Sequence, residues 1–290
     1  MAAIRTNFWT AYREVPEHWQ KITGAPQPVD QEETEYDWID ELSGFDFWDD
    51  KGSIPELVGN AWQYKLKVRP YGGNFTIKDK DIRFDKTRQL YTRAAQIGNK
   101  AGSWKNAQLA TTIQGATSGN LFDGKPFFSA THPTTPGSTN SNLGTAALTA
   151  DSLETVIWTM QQYKGRSGDL LGVTPTHLVI PPQLQGTAAR ILNSSLLPGT
   201  AQNDTNFLMG MLQPIILPDL GTDANDWGVF DLSKPVKPFF AIESLPLRTM
   251  TSEGTKDEGM IKRREITFSA DGEMAFGKSL WFLGYWNSVT

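Results

Sequence analysis

Two adjoining stretches of opposite charge set the first limit on how this chain can fold. Residues 30–56 carry eleven acids against a single base, Lys51, for a net charge of −10. Residues 61–105 carry eleven bases against Asp79, Asp81 and Asp85, for a net of +8. Charge blocks of this size cannot enter a hydrophobic core unpaired, because each desolvated ion is costly. They form either two solvated faces of one subunit, or an acidic surface on one copy that docks on a basic surface of another. Aromatic residues sharpen the problem. Five of the ten tryptophans (Trp9, Trp19, Trp38, Trp48 and Trp62) fall within the first 62 residues. A highly charged arm cannot easily bury that many rings within itself. The arm must wrap its own domain or lie against neighbouring subunits.

Other features exclude function classes. With 290 residues, 39% of them hydrophobic and 20% charged, the chain can bury one large core or two lobes sharing one. No run approaches the roughly 18 apolar residues of a membrane span. The opening residues lack a signal peptide's apolar core, so folding in the cytoplasm is expected. A net charge of −5 argues against a dedicated duplex-DNA binder. The absence of cysteine removes disulfides, thiolate catalysis and cysteine-ligated metals. His18, His132 and His177 are far apart in sequence and belong to no HExxH-type spacing, so no metal site is expected.

Periodicity outlines the architecture. A short amphipathic segment around Phe8, Trp9, Tyr12, Val15 and Trp19 opens an arm over residues 1–50. Trp62, Tyr64, Leu66 and Val68 then alternate with Gln63, Lys65, Lys67 and Arg69, the period-two pattern of a half-buried strand. Turn chemistry in PYGG at 70–73, followed by NFTIKDKDI, predicts a long exposed hairpin within 51–80. Lysines along it discourage uncontrolled edge pairing. Leu90, Ala94, Ile97, Ala101, Trp104, Leu109 and Ile113 predict a helix over 85–114, about 45 Å long at 1.5 Å per residue. Gly98 and Gly102 are poor residues for its interior.

Residues 115–150 read as a loop. A second helix is predicted from Asp151, with Glu154 closing a capping box, Leu153, Val156, Ile157 and Met160 as the buried face, and Gly165 as the stop. A buried strand over 176–180 and a helix with Pro182 in its first turn follow. Strands are predicted near 214–218, 226–232 and 237–243, then a final hairpin turning at 269–272. The expected fold class is α+β, with an arm and hairpin ahead of a mixed body.

No catalytic constellation emerges. Gly119, Gly124 and Lys125 match G-x-x-x-x-G-K, but Pro126 stands where a phosphate-binding loop needs Ser or Thr, and proline removes a backbone donor. Asp79, Asp81 and Asp85 lack the glycine and terminal glutamate of a calcium loop. No G-x-S-x-G elbow occurs and no carboxylate pair is singled out by spacing. The chain is expected to be neither an enzyme nor a cofactor binder.

Several segments, in order, resemble the Mu-like prophage major head subunit family. They are NFWTAYREVPEHWQKI with EYDWIDEL, then FDFWDDK followed by AWQYKLKVRPYGGNFTIKDKDIRFDK, then LVIPPQLQGTAARIL. The most specific match is LFDGKPFFSATHP, similar to the family's DG-x-x-x-F-x-x-x-H-P segment. The resemblance implies the Hong Kong-type tailed-phage capsid fold. It would place an N-terminal arm at 1–50, an extended β-hairpin loop at 51–80 and a peripheral domain with a long spine helix at 81–150. An axial domain would occupy 151–250, and closing strands 251–290.

The implied function is a major capsid protein, a structural component of the virion assembled in the bacterial cytoplasm. It would self-assemble into hexamers and pentamers of an icosahedral head around double-stranded DNA, held by non-specific charge only. Implied partners are other copies of itself, a scaffold protein, a maturation protease, a portal and a decoration protein, with no membrane. Trp38, Trp48, Trp62, Tyr64, Lys65, Lys67 and Arg69 are the candidate inter-subunit contacts. Lys65, Lys67 and Asn74 are too common as residue types to imply a Lys–Asn cross-link, and none is expected. Competing readings are an encapsulin-like compartment shell and a monomeric carbohydrate-binding or hydrolytic protein, since ten tryptophans suit sugar stacking.

Overall fold

The computed structural model describes residues 2–39, 61–78, 80–81, 84, 89–134, 137–196, 205–221, 225–252 and 264–289. Helices α1 (Ala2–Glu14) and α2 (His18–Thr23) lead into β1 (Gln27–Pro28), β2 (Glu33–Ile39), β3 (Ala61–Lys67) and β4 (Arg69–Lys78). The long helix α3 (Gln89–Gln114) precedes three two-residue strands, β5 (His132–Pro133), β6 (Thr139–Asn140) and β7 (Leu143–Gly144). Then come α4 (Ala150–Gln161), β8 (His177–Ile180), α5 (Gln185–Asn193), β9 (Gln213–Ile216) and β10 (Trp227–Phe230). Strands β11 (Phe239–Thr251), β12 (Glu265–Lys278) and β13 (Gly284–Asn287) close the chain.

One sheet has the order β1-β11-β12-β4 and carries α1 and α3 on one face. Ile4 and Phe8 of α1, Ala94 of α3, and Ile77, Phe268 and Ala270 of the sheet form a shared apolar cluster. The helix glycines have a packing reason. A β-carbon at Gly98 would lie 2.3 Å from the Phe8 carbonyl oxygen, and one at Gly102 would lie 2.8 Å from Val15 Cβ. Only a bare backbone lets α1 approach this closely, which outweighs the low helix propensity. The start of the expected arm therefore wraps its own body. Trp19 is buried, its backbone N–H donates to Asn106 Oδ1 at 3.1 Å, and the Lys105 ammonium sits 5.2 Å from its ring centroid.

The second sheet has the order β7-β13-β10-β8-β9 and underlies the main core, where Trp227, Trp286, Phe127, Phe128, Phe230 and Phe239 are fully buried. Helix α4 buries Leu153, Val156, Ile157 and Met160, as its periodicity demands. Its start differs from expectation. Thr149, rather than Asp151, is the N-cap, and Ser152, rather than Glu154, completes the box: Ser152 N–H donates to Thr149 Oγ1 at 3.1 Å and Thr149 N–H to Ser152 Oγ at 2.9 Å. The helix also ends before Gly165, whose N–H instead donates to the Asp169 carbonyl within a turn.

Two expected hairpins do not form. PYGG does not turn at 70–73. Strand β4 runs straight through it, paired with β12 from Arg69↔Met274 to Lys78↔Glu265. Strand β3 pairs with β2, which lies on its N-terminal side. Nor does β12 turn at 269–272. It stays extended between β11 and β4, with Asp271 opposite Arg248 on one side and Gly72 on the other. Because both edges of β12 are filled, its backbone groups are satisfied only if it continues straight. The glycine that suggests a turn serves a close contact: a β-carbon at Gly272 would meet the Tyr71 hydroxyl oxygen at 2.8 Å.

Candidate functional site

Strands β2 and β3 form a two-stranded antiparallel ribbon. Its register pairs Glu33 with Lys67, Glu35 with Lys65, Tyr36 with Tyr64 and Trp38 with Trp62. Directly opposed unlike charges and aromatic rings are the pairings that stabilise an antiparallel ladder. At the ribbon's foot, the Lys65 ammonium pairs with the Glu35 carboxylate, and Lys67 reaches Glu32 at 2.8 Å. Hydrogen bonding within these pairs lowers the Glu32 carboxyl below its ordinary value and raises both lysines above theirs. The apolar side of the foot rests on β11. Phe240 meets the rings of Tyr36 and Tyr64 at centroid distances of 5.0 and 6.3 Å, with Leu66, Val68 and Ile242 in the same cluster. Burial raises both tyrosine hydroxyls.

Between this foot and α3 lies a cleft of 490 Å³ lined in part by Lys65, Lys67, Arg69, Trp104, Gln108 and Phe276. Its lining combines these basic residues, two of them paired with carboxylates, with Trp104, Met274 and Phe276. Beneath the cleft, Lys105 is buried and reaches Glu243 at 3.4 Å, tying α3 to β11. The neighbouring Tyr71 ring stacks on Trp104 at 4.1 Å, and burial pushes its hydroxyl up to about 12.

A second constellation is wholly internal. His132 is fully buried, with Nδ1 2.5 Å from Asp123 Oδ2 and Nε2 3.1 Å from Asn142 Oδ1 and 3.2 Å from the Phe127 carbonyl. Asn142 Oδ1 also accepts from Ser129 N–H at 2.8 Å, which fixes the orientation of its amide. The Asn142 amide nitrogen then donates toward the carbonyls of Phe127, Trp281 and Gly284 at 2.7, 3.0 and 3.1 Å. The imidazole lies flat on Trp281, centroids 4.1 Å apart and planes 4° from parallel. The network clamps the 123–142 loop to the 281–284 segment ahead of β13.

The phage capsid protein family matches residues 63–277, from β3 through almost all of β12. This chain belongs to that family. Its fold is the Hong Kong-type tailed-phage capsid fold, as three solved structures illustrate. The capsid of bacteriophage JBD30 matches with a TM-score of 0.57 and 13% identity, covering 93% of this chain and 64% of that one. This chain thus spans less than two thirds of the JBD30 chain's length. The capsid of an empty GTA particle matches with a TM-score of 0.60 and 12% identity over 94% and 90% of the two chains. A virus-like particle from Pyrococcus furiosus matches with a TM-score of 0.56 and 7% identity over 99% and 98%. No curated protein matches the sequence.

Within this phage capsid protein, the sequence-derived contact residues fall into three groups. Tyr64, Lys65, Lys67 and Arg69 come together at the ribbon's foot, Arg69 being the first residue of β4. Trp38 and Trp62 are register partners further along the ribbon. Trp48 lies outside the described residues. Of the charge blocks, Glu32 and Glu35 pair with Lys67 and Lys65 within one chain. Lys105 is likewise engaged internally, with Glu243. Phe240 and the partners of His132 were missed. The DG-x-x-x-F-x-x-x-H-P segment was the available signal for Asp123 and His132, while Asn142 and Trp281 carry no local pattern.

Proposed function

We propose that this chain is the major subunit of a tailed-phage head, forming hexamers and pentamers of an icosahedral shell around double-stranded DNA. The observation that carries the reading is the family match itself, which runs through the ribbon's second strand, the long helix and both sheets. Within the family, the ordered segments that resemble the Mu-like head subunits favour that branch. Residues 1–50, 51–80, 81–150, 151–250 and 251–290 then act as arm, extended loop, peripheral domain, axial domain and closing strands, with the loop taking β2 as its second strand. Trp38, Trp48 and Trp62 anchor contacts between copies, and the ion-paired foot at Lys65, Lys67 and Arg69 borders them. A scaffold protein, a maturation protease, a portal and a decoration protein complete the head, which assembles in the host cytoplasm.

The test is particle size, by sedimentation and negative-stain microscopy, after expression with and without the neighbouring scaffold gene. Closed shells of uniform diameter are expected. A monomer under both conditions would remove the reading. Nuclease-protected DNA in particles recovered from phage separates a head from a compartment that holds protein cargo.

A further inference from the structure

Gly73 lacks the packing reason that holds Gly72 and Gly272 in the sheet. Glycine inside a strand marks a bulge, a bend, or the close approach of another backbone or a ligand. Strand β4 passes Gly73 in unbroken register with β12, so there is neither bulge nor bend. A β-carbon at Gly72 would meet the Ala270 carbonyl oxygen at 2.7 Å, whereas one at Gly73 would meet nothing within 4 Å among the described residues. Backbone contact is thereby set aside as well. On the helix-facing side, Tyr71, Gly73 and Phe75 stand opposite Gly272, Ala270 and Phe268. The row of rings is broken at one place, where Gly73 faces Ala270.

A second cavity of 490 Å³ opens at that break. Its walls include Ile97, Ala101 and Trp104 of α3 and Leu247 of β11, with the Tyr71 ring stacked on Trp104. The helix above it is not loosely packed. At Gly98 and Gly102 the same stretch of α3 meets α1 so closely that no β-carbon fits without a shift. Protein interiors leave few voids larger than a water molecule, and this one lies within the range of about 300–1,000 Å³ typical of ligand pockets. Its polar feature is a charge. Lys100 stands exposed at the rim, and no Asp or Glu is among the lining residues. An apolar cavity edged by a cation is complementary to an anion that carries an apolar body. From Ile97 to Trp104 the helical wall runs about 10 Å at 1.5 Å per residue, which sets the length of that body.

We propose that the cavity between α3 and the sheet binds a small amphipathic anion, its apolar body against Gly73, Ala101 and Leu247 and its carboxylate on Lys100. The site lies outside the capsid reading and is tested by binding alone, so each can fail without the other.

The probe is sodium decanoate, kept below its micellar concentration and titrated into the full-length protein by calorimetry. Saturable binding at one site per chain is expected, and its absence overturns the proposal. Gly73→Leu fills the cavity from the sheet and is expected to abolish that binding, with a circular-dichroism melt no lower than that of the unmodified chain. Ala101→Met fills the same space from the helix and serves if Gly73→Leu does not fold. Unchanged affinity in the folded filler overturns the site. Lys100→Glu is expected to weaken binding about tenfold or more, the loss of one charge-assisted contact. Decyltrimethylammonium, a cation of equal chain length, is expected to bind weaker than decanoate by a similar factor. Equal affinity in either comparison overturns the anion. Phosphatidylglycerol vesicles are expected not to co-sediment with the protein, because a bilayer surface cannot enter a recess under a helix. Co-sedimentation lost in the filler would make the site a lipid-surface contact and overturn the free ligand.

Discussion

The foot of the β2–β3 ribbon and the network around His132 both tie together distant parts of the chain, but they do so on opposite sides of the solvent boundary. At the foot, Lys65–Glu35 and Lys67–Glu32 stand in water, where screening and side-chain entropy leave little net stabilisation. What holds the foot is Phe240 under Tyr36 and Tyr64. Around His132, every polar atom is out of water, and each must be matched because an orphaned buried donor or acceptor is expensive. The ribbon's exposed ion pairs can be exchanged for water at little cost. The buried bonds around His132 cannot.

The sharpest way to break that contrast is Asn142→Ala. It strands Ser129 N–H and takes one partner each from His132 and three buried carbonyls, so a loss of about 3 kcal/mol in urea unfolding is expected. A loss below about 1 kcal/mol would mean that water replaces the amide and that the network is not a buried clamp. Phe240→Ala should cost about 2–3 kcal/mol, less than a deep-core truncation because its cluster is shallow, and should make the ribbon's foot cleave earlier in limited proteolysis. Unchanged proteolysis would show that the ion pairs hold the foot after all.

Acid sharpens the comparison from a different side. Burial is the first cause that lowers His18 and His177 below the ordinary histidine value of 6.5. The unfolded chain therefore takes up these protons first as pH falls. Their contribution is fully present above about 6.5 and is lost as pH drops towards the lower folded values. A pH series of urea midpoints should decline over that window, and the decline should flatten in a His18→Gln/His177→Gln variant. An identical decline in that variant would assign the acid sensitivity elsewhere. The smallest effect is expected for Lys65→Ala and Lys67→Ala, with thermal midpoints at physiological salt indistinguishable from the unmodified chain. A resolvable drop in either would move the ribbon's pairs into the class of structural contacts.

Legibility in the sequence followed the range of the interactions involved. Helix α3, the buried face of α4, strand β8 and helix α5 were readable because a helix or strand imposes its period on adjacent residues. Tyr64, Lys65 and Lys67 were correctly placed on one half-exposed strand for the same reason. The candidate site was readable only in part. The alternation around Tyr64 says that a strand exists, yet nothing in it names β2 as partner or Phe240 as anchor.

By itself, then, the sequence determined the class of the fold, several of its helices and strands, and the phage capsid family to which the chain belongs. Tertiary structure alone decided which strands pair, where the turns are and what the glycines do. PYGG and the Asp271–Gly272 pair look like turns locally, but β4 and β12 each fill the other's hydrogen-bonding edge and so stay extended. Gly98 looks like a helix fault until α1 crosses it. A turn signal is worth a kilocalorie or so, whereas a row of backbone groups left unpaired in the interior costs several times that, so the long-range partner prevails.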